Sequence, residues 1–226
     1  MKLKNKLSAL DQIYQVYDNF ICGLDLACKK NCAHCCTTGV SLTTLEGYKI
    51  IGWLEAKEVA GWIAKIRQAA KRSRFGLKMT TNQFADMCAE GIEPAAEESA
   101  AWSQCPFLTD NECPLYPVRP FGCRCLVSRR NCGKTGYADM DDFVLSVNTV
   151  FLQTIEHLDA GGCSGNLIDV LGTLGSPENR QCYQNNSLTC SEAGLIPNQP
   201  LKVLMIPPEY HSRMEPILQA LREIRI

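Results

Sequence analysis

The chain has 226 residues, a formal net charge of −1 and an apolar share of 46%. That length buries a real hydrophobic core, as one large domain or two small ones. The near balance of 23 basic and 24 acidic residues excludes an overall pull toward nucleic acid or an anionic membrane.

The first residues, Met1-Lys-Leu-Lys-Asn-Lys6, are basic like the start of an export signal, but Asp11 and Gln12 arrive before any apolar core develops. The reading is therefore a cytoplasmic protein in a reducing compartment. No stretch approaches the roughly 18 apolar residues of a membrane span, so no membrane partner is expected. A helix is predicted from about Ser8, with Leu10, Ile13, Tyr14, Tyr17, Ile21 and Leu24 forming its buried stripe until Gly23 weakens it. A cysteine-rich loop follows, Cys28 to Cys36. Thr43-Thr-Leu-Glu46 reads as a capping box, opening a helical pattern to about Ser73 through Ile50, Trp53, Leu54, Trp62 and Ile66, with Gly61 as a point of division.

A weaker helical stretch runs from about Thr81 to Trp102, interrupted by Gly91 and Pro94. From Ser103 to Asp139 the chain holds four prolines and five cysteines without periodicity, and reads as an irregular loop with few core residues. Loops of more than about 15 structureless residues are uncommon in a compact domain unless something else orders them, and a metal would do so. The clearest helix is Asp139–Ala160, with acidic residues at its positive end and Gly161-Gly162 at its stop. A short helix at Asn166–Leu174, an Asn/Ser-rich connection to about Asn198, a strand at Val203–Ile206 and a last helix opened by Pro207-Pro208 complete the chain. In that last helix Met214, Ile217, Leu218, Leu221 and Ile224 point inward. The predicted fold class is mainly α, an irregular helical domain with two cysteine-rich metal-binding loops. It forms a single domain, 1–226, with a cysteine-cluster core over about 22–130 and a helical C-terminal part over 139–226.

Fourteen cysteines, about 6% of the chain, stand well above ordinary usage in a protein whose size needs no disulfide staples. The first cluster is Cys28-Lys-Lys-Asn-Cys32-Ala-His-Cys35-Cys36. Spacers of two or three residues let a turn aim sulfurs at one ion, and zinc or an iron–sulfur cluster takes four thiolates. The adjacent Cys35 and Cys36 point in different directions in most conformations, so both serve only if one turns toward a second metal or the loop bends sharply. The second cluster carries Cys105, Cys113, Cys123 and Cys125. Its prolines lower the entropy cost of fixing ligand geometry. Four thiolates on a divalent ion leave a formal charge of −2, which Arg119 and Arg124 are placed to offset. The candidate metal ligands are thus Cys28, Cys32, Cys35, Cys36, Cys105, Cys113, Cys123 and Cys125, with zinc or iron as the cofactor.

The run Cys-x3-Cys-x2-Cys-Cys, then Leu42-Thr-Thr-Leu-Glu46, then Cys105-Pro-Phe-Leu and Cys113-Pro-Leu-Tyr-Pro-Val-Arg-Pro-Phe-Gly-Cys123-Arg124, resembles the bacterial cysteine-cluster family of zinc- or iron-chelating proteins (YkgJ-like). The resemblance covers roughly 28–127 and implies metal binding. The family's shorter Cys-x2-Cys-x2-Cys-Cys form differs in its first spacer, and Cys125 is extra. A flagellin lysine methylase is similar in its cysteine motif, so methyl transfer is a remote option; no glycine-rich nucleotide loop follows a strand here.

Duller readings apply elsewhere. Cys22 and Cys88, on helical stretches, read as small buried hydrophobes. Cys132, Cys163, Cys182 and Cys190 have no short-spaced partner and read as core or loop thiols before a second ligand set. His34 reads as a loop residue or a hydrogen-bonding neighbour of the site, His157 and His211 as solvated, and Lys71-Arg-Ser-Arg74 and Arg129-Arg130 as solvated charge. Three functions compete: a metal-binding protein in a structural, storage or transfer role, an iron–sulfur redox or electron-transfer protein, and a disulfide-stapled exported protein. Any enzyme reading rests on the metal alone.

Overall fold

The computed structural model describes residues 1–29, 31–59, 61–93, 103–191 and 194–225, and it is mainly α-helical. Helix α1 (Leu3–Cys22) starts five residues before the expected Ser8, because Leu3 and Leu7 extend its apolar stripe onto the core. It ends at Gly23, as expected. Strand β1 (Ser41–Thr43) leads directly into α2 (Thr44–Ala56), whose start carries the capping box: Thr43 accepts from the Glu46 N–H while the Glu46 carboxylate accepts from the Thr43 N–H. Gly61, with φ of 70°, separates α2 from α3 (Trp62–Ala69). A second capping box, Thr80 with Gln83, opens α4 (Thr81–Ala89). Its predicted continuation through Pro94 to Trp102 lies outside the described residues.

The segment 103–139 is less irregular than its prolines suggest. It holds a 3-10 turn at Tyr116–Val118 and two one-turn helices, α5 (Phe121–Arg124) and α6 (Cys132–Thr135). It also buries Phe107, Leu115, Val118, Phe121 and Val127, more core than the sequence pattern revealed. Helix α7 (Asp142–Leu158) is capped by the Asp141 carboxylate, and its stripe of Val144, Val147, Phe151 and Ile155 runs through the centre of the protein.

Strand β2 (Cys163–Asn166), α8 (Leu167–Leu174) and α9 (Pro177–Gln184) come next, then β3 (Ile196–Pro197) and α10 (His211–Arg222). β2 lies between β1 and β3 in a small antiparallel sheet, pairing Ser41 with Asn166 and Cys163 with Pro197. The expected strand at Val203–Ile206 is irregular instead. Its backbone is taken by α7 side chains: the Met205 N–H donates to Gln153 Oε1 at 2.9 Å, and the Val203 carbonyl accepts from Gln153 Nε2 at 2.7 Å.

Side chains of α1, α2, α7 and α8 form the main part of one buried core. Two glycines admit the chain where it passes closest. A Cβ at Gly122 would stand 2.6 Å from the Ser41 carbonyl oxygen, and one at Gly162 would overlap Thr44 and Asp159. Asp159, fully buried, accepts from the Thr44 hydroxyl, the Leu45 N–H, the Tyr183 hydroxyl and the Asn198 amide, so α2, α9 and the β3 segment converge on one carboxylate. Lys71, Arg72, Arg129 and Arg130 are exposed as expected, the last two binding Asp139 at the surface, while half-buried Arg74 binds Asp169 on α8. His157 and His211 are exposed as expected, although each ring contacts a backbone group.

Among the described residues no helix is long and apolar enough to cross a membrane.

Candidate metal centre

The two cysteine-rich segments meet. The Cys105 N–H donates to the Cys36 carbonyl at 3.0 Å, Thr37 and Gln104 form an antiparallel bridge, and the Thr38 N–H donates to the Ser103 carbonyl at 2.8 Å. These are short strand-like contacts, and they place the end of the first cluster beside the start of the second.

Local chemistry then folds the second segment back on itself. Asp110 and Asn111 both have positive φ, 52° and 61°, and Thr109 and Glu112 exchange backbone hydrogen bonds around them. Asp and Asn tolerate this left-handed conformation best after glycine, so the pair reverses the chain between Cys105 and Cys113. Trp53 of α2 donates from its indole to the Pro114 carbonyl at 3.2 Å and fixes the next bend. Cys123 comes in on α5, which is held from inside: Phe121 stacks on Phe151 with centroids 5.5 Å apart and meets Tyr17 edge-on at 4.7 Å. Asn148 of α7 donates to the Cys125 carbonyl at 3.2 Å.

The result is a neighbourhood of four thiols, Cys36, Cys105, Cys113 and Cys123, whose charges influence one another. Burial pushes the thiols of Cys105, Cys113 and Cys123 up, and neighbouring thiols add to the shift at Cys105 and Cys123. Cys125 is raised to about 12, again by burial first. Cys35 and Cys36 form a polarised pair. Hydrogen bonding between them raises Cys35 and lowers Cys36, which makes Cys36 the readier thiolate of the two.

Arg119 is the positive charge of this neighbourhood. It lowers the thiols of Cys35, Cys113, Cys123 and Cys125 and stacks on Tyr116 with its guanidinium carbon 4.3 Å from the ring centroid. Among the described residues its Nε is the one buried side-chain nitrogen or oxygen without a hydrogen-bond partner. Arg124, 8% exposed, does not face the thiols. It donates to the loop carbonyls of Arg119 at 3.0 Å and Pro117 at 3.3 Å, pairs with Asp18 at 3.0 Å and lies over Tyr14. It holds the Pro-rich turn in shape rather than touching sulfur.

Cys28 and Cys32 lie apart from this group. The Ala27 N–H donates to the Ser128 carbonyl at 2.8 Å, and the thiol neighbours of Cys28 are Cys32, Cys132 and Cys35. Cys132 was not among the expected ligands, and its only sequence signal is a position seven residues after Cys125. As they stand, the described residues include no group of three or more His, Cys, Asp or Glu side chains arranged to hold a metal ion. The thiols are neighbours, not a finished shell.

Two other cysteine expectations are corrected. Cys163 and Cys190, expected as core or loop thiols, are bonded to each other, because β2 and the segment before β3 bring their Cα atoms to 5.9 Å. Cys22 and Cys88 are exposed rather than buried, since each falls on the outer side of its helix. The other twelve cysteines are free thiols. No family model, curated protein or solved structure matches the chain.

Proposed function

We propose that this protein binds zinc or iron through cysteines of its two cysteine-rich segments, in a structural, storage or transfer role. The ligands of the main site are Cys36, Cys105, Cys113 and Cys123. The observation that carries this reading is the buried, unpartnered Nε–H of Arg119 in a neighbourhood of thiols. A buried donor without a partner costs about 1–3 kcal/mol. Thiolates held by a divalent cation keep net negative charge, and they would give that N–H an acceptor. The donor set suits the ion as well: four thiolates satisfy tetrahedral zinc and also an iron–sulfur cluster. When bound, the ion supplies the cross-link between the segments. The residues of the chain do the rest: Arg119 offsets charge, Arg124 shapes the turn and Asn148 anchors Cys125.

The resemblance to zinc- and iron-chelating cysteine-cluster proteins supports the same reading. The predominance of free thiols suits a reducing cytoplasm, and Cys163, at 0% exposure, is shielded from small reductants within its bond.

The test is the metal content and visible absorption of protein purified anaerobically with reductant, beside the Cys123→Ser variant. Bound zinc or iron that is lost in the variant supports the proposal. Broad visible absorption with iron and acid-labile sulfide selects an iron–sulfur cluster, and a colourless zinc protein selects a structural site. Wild-type protein free of both metals overturns it.

A further inference from the structure

Cys28 and Cys32 leave the main group, yet they are not isolated. The chain after α5 returns over the first cysteine loop and is fastened there. The Cys28 thiol faces the Ser128 carbonyl at 4.0 Å. The Ser128 hydroxyl donates to the Arg130 carbonyl at 2.7 Å, the same carbonyl that the Cys132 thiol faces at 3.9 Å. Asn131 caps α6 by accepting the Gly133 N–H at 2.9 Å, which fixes Cys132 at the first position of that turn. On the other side, the His34 ring lies flush on Gly133, so closely that any Cβ there would overlap its Nε2 edge. Two backbone segments a hundred residues apart therefore make Cys32 and Cys132 neighbours of Cys28 and set His34 against the residue next to Cys132, short of a formed shell. Cys35 also neighbours Cys28, but it hydrogen-bonds with Cys36 of the main group.

We propose a second metal site, formed by Cys28, Cys32 and Cys132 as thiolates with His34 as the fourth ligand, distinct from the Cys36–Cys105–Cys113–Cys123 site. The inference rests on the metal-binding reading above and deepens it from one ion to two. Three sulfurs and one imidazole nitrogen form a common closed set for zinc, with a formal charge of −1 that is easier to leave at a surface than −2. The site accounts for three features at once. Adjacent Cys35 and Cys36 need not crowd one ion, because only Cys36 serves the main site and Cys35 is a ligand of neither. Gly133 lets His34 lie where a side chain would otherwise push its ring aside. The segment from Ser128 to Cys132 folds over the first loop because it carries a ligand to it.

The test is metal stoichiometry on the full chain, by elemental analysis after anaerobic purification and zinc loading, for the wild type, Cys105→Ser, Cys132→Ser, His34→Ala and Cys22→Ser. The expected result is two zinc ions per chain in the wild type and in Cys22→Ser, and one in Cys105→Ser and in Cys132→Ser. His34→Ala, an exposed substitution that spares the core, should release one of its two ions to a competing chelator at least ten times faster than the wild type. Cobalt loading gives a second readout: sulfur-to-cobalt charge-transfer absorption should fall in Cys132→Ser and hold steady in Cys22→Ser. One ion per chain in the wild type, lost with Cys105 and indifferent to Cys132 and His34, overturns the second site and leaves the main one standing. No ion in the wild type overturns both. A single ion lost in both Cys105→Ser and Cys132→Ser means one shared centre, and also overturns this division.

Discussion

Glu46 Oε1 accepts the backbone N–H of Phe121 at 2.6 Å, across 75 residues of sequence. The same carboxylate accepts from the Tyr14 hydroxyl at 2.8 Å and from the Thr43 N–H at 2.9 Å. One buried side chain thus fixes α1, the start of α2 and the turn that delivers Cys123. Glu46→Ala takes the acceptor from these three donors and from the Thr43 hydroxyl, and should lower unfolding stability by about 3 kcal/mol or more. Denaturant midpoints check this, and metal retention should fall in parallel because Phe121 lies two residues before Cys123. Glu46→Ala with the wild-type midpoint would remove Glu46 from this role.

Arg119 and Arg124 separate two ways of supporting a thiolate site. Arg119→Gln removes the charge beside the thiols and should weaken metal retention about 10-fold, with little change in stability of the metal-free protein. Arg124→Gln removes hydrogen bonds to the Arg119 and Pro117 carbonyls as well as the Asp18 pair, and should lower both. Chelator competition beside thermal unfolding of the metal-free forms tells them apart.

Proton release gives the pH dependence. Burial raises Cys105, Cys113 and Cys123, so without metal they are protonated at neutral pH, and the ion has to displace those protons. Raising the pH lessens that competition, so affinity should rise with pH and metal should be lost on acidification. Calorimetric titration in buffers of different ionisation enthalpy should show more than one proton released per ion. Equal apparent heats in all buffers would contradict this.

Chelation should loosen 103–139 without unfolding the protein. Phe107, Leu115 and Phe121 remain core anchors, so helical circular dichroism should persist. The surface stretch beyond them holds Arg129 and Arg130, which are exposed, and Lys134. Trypsin should cut there faster in the metal-free form. Identical cuts at identical rates in both forms would show that the cysteines do not order this stretch.

The Cys163–Cys190 bond closes a loop over a separation of 27 residues, worth about 3.5 kcal/mol in the chain-entropy model. Cys190→Ser, at the less buried end, should lower Tm by about 10 °C, read by calorimetry in the absence of reductant. An unchanged Tm would mean that the pair is not bonded in solution.

The helices were legible where periodicity coincided with chemistry at an end. Thr43 with Glu46, Gly61 and the acidic run before α7 each marked a boundary through a side chain acting on its own backbone. α9 was hidden because Tyr183 is its one core residue and the rest is mostly polar, although Ser176-Pro177 signals a start. The sheet was hidden for a different reason. Its strands are two to four residues long, too short for alternation, and the partners pair across long stretches of chain, Ser41 with Asn166 and Cys163 with Pro197. In the cysteine region, spacing singled out eight cysteines, among them Cys36, Cys105, Cys113 and Cys123, which the structure brings into one neighbourhood. It did not separate Cys28 and Cys32 from them, since that division depends on where 127–133 returns. Nor did it mark Cys163 and Cys190, whose approach is a product of the sheet.

Gly122 lies against the Ser41 carbonyl of β1, and Gly162 against Thr44, where β1 passes into α2. One belongs to the cysteine-rich half of the chain and the other to the helical half. The cysteine region is therefore not a portable module. A fragment ending near residue 130 would keep every residue of the main site, yet it would lose β2 and the wall that presses β1 into place. The loop that β1 leads out of, Cys28–Cys36, would then drift from Cys105. Any ancestral recombination or laboratory graft that moves these cysteines to another scaffold has to carry the strand from Cys163 to Asn166 with them.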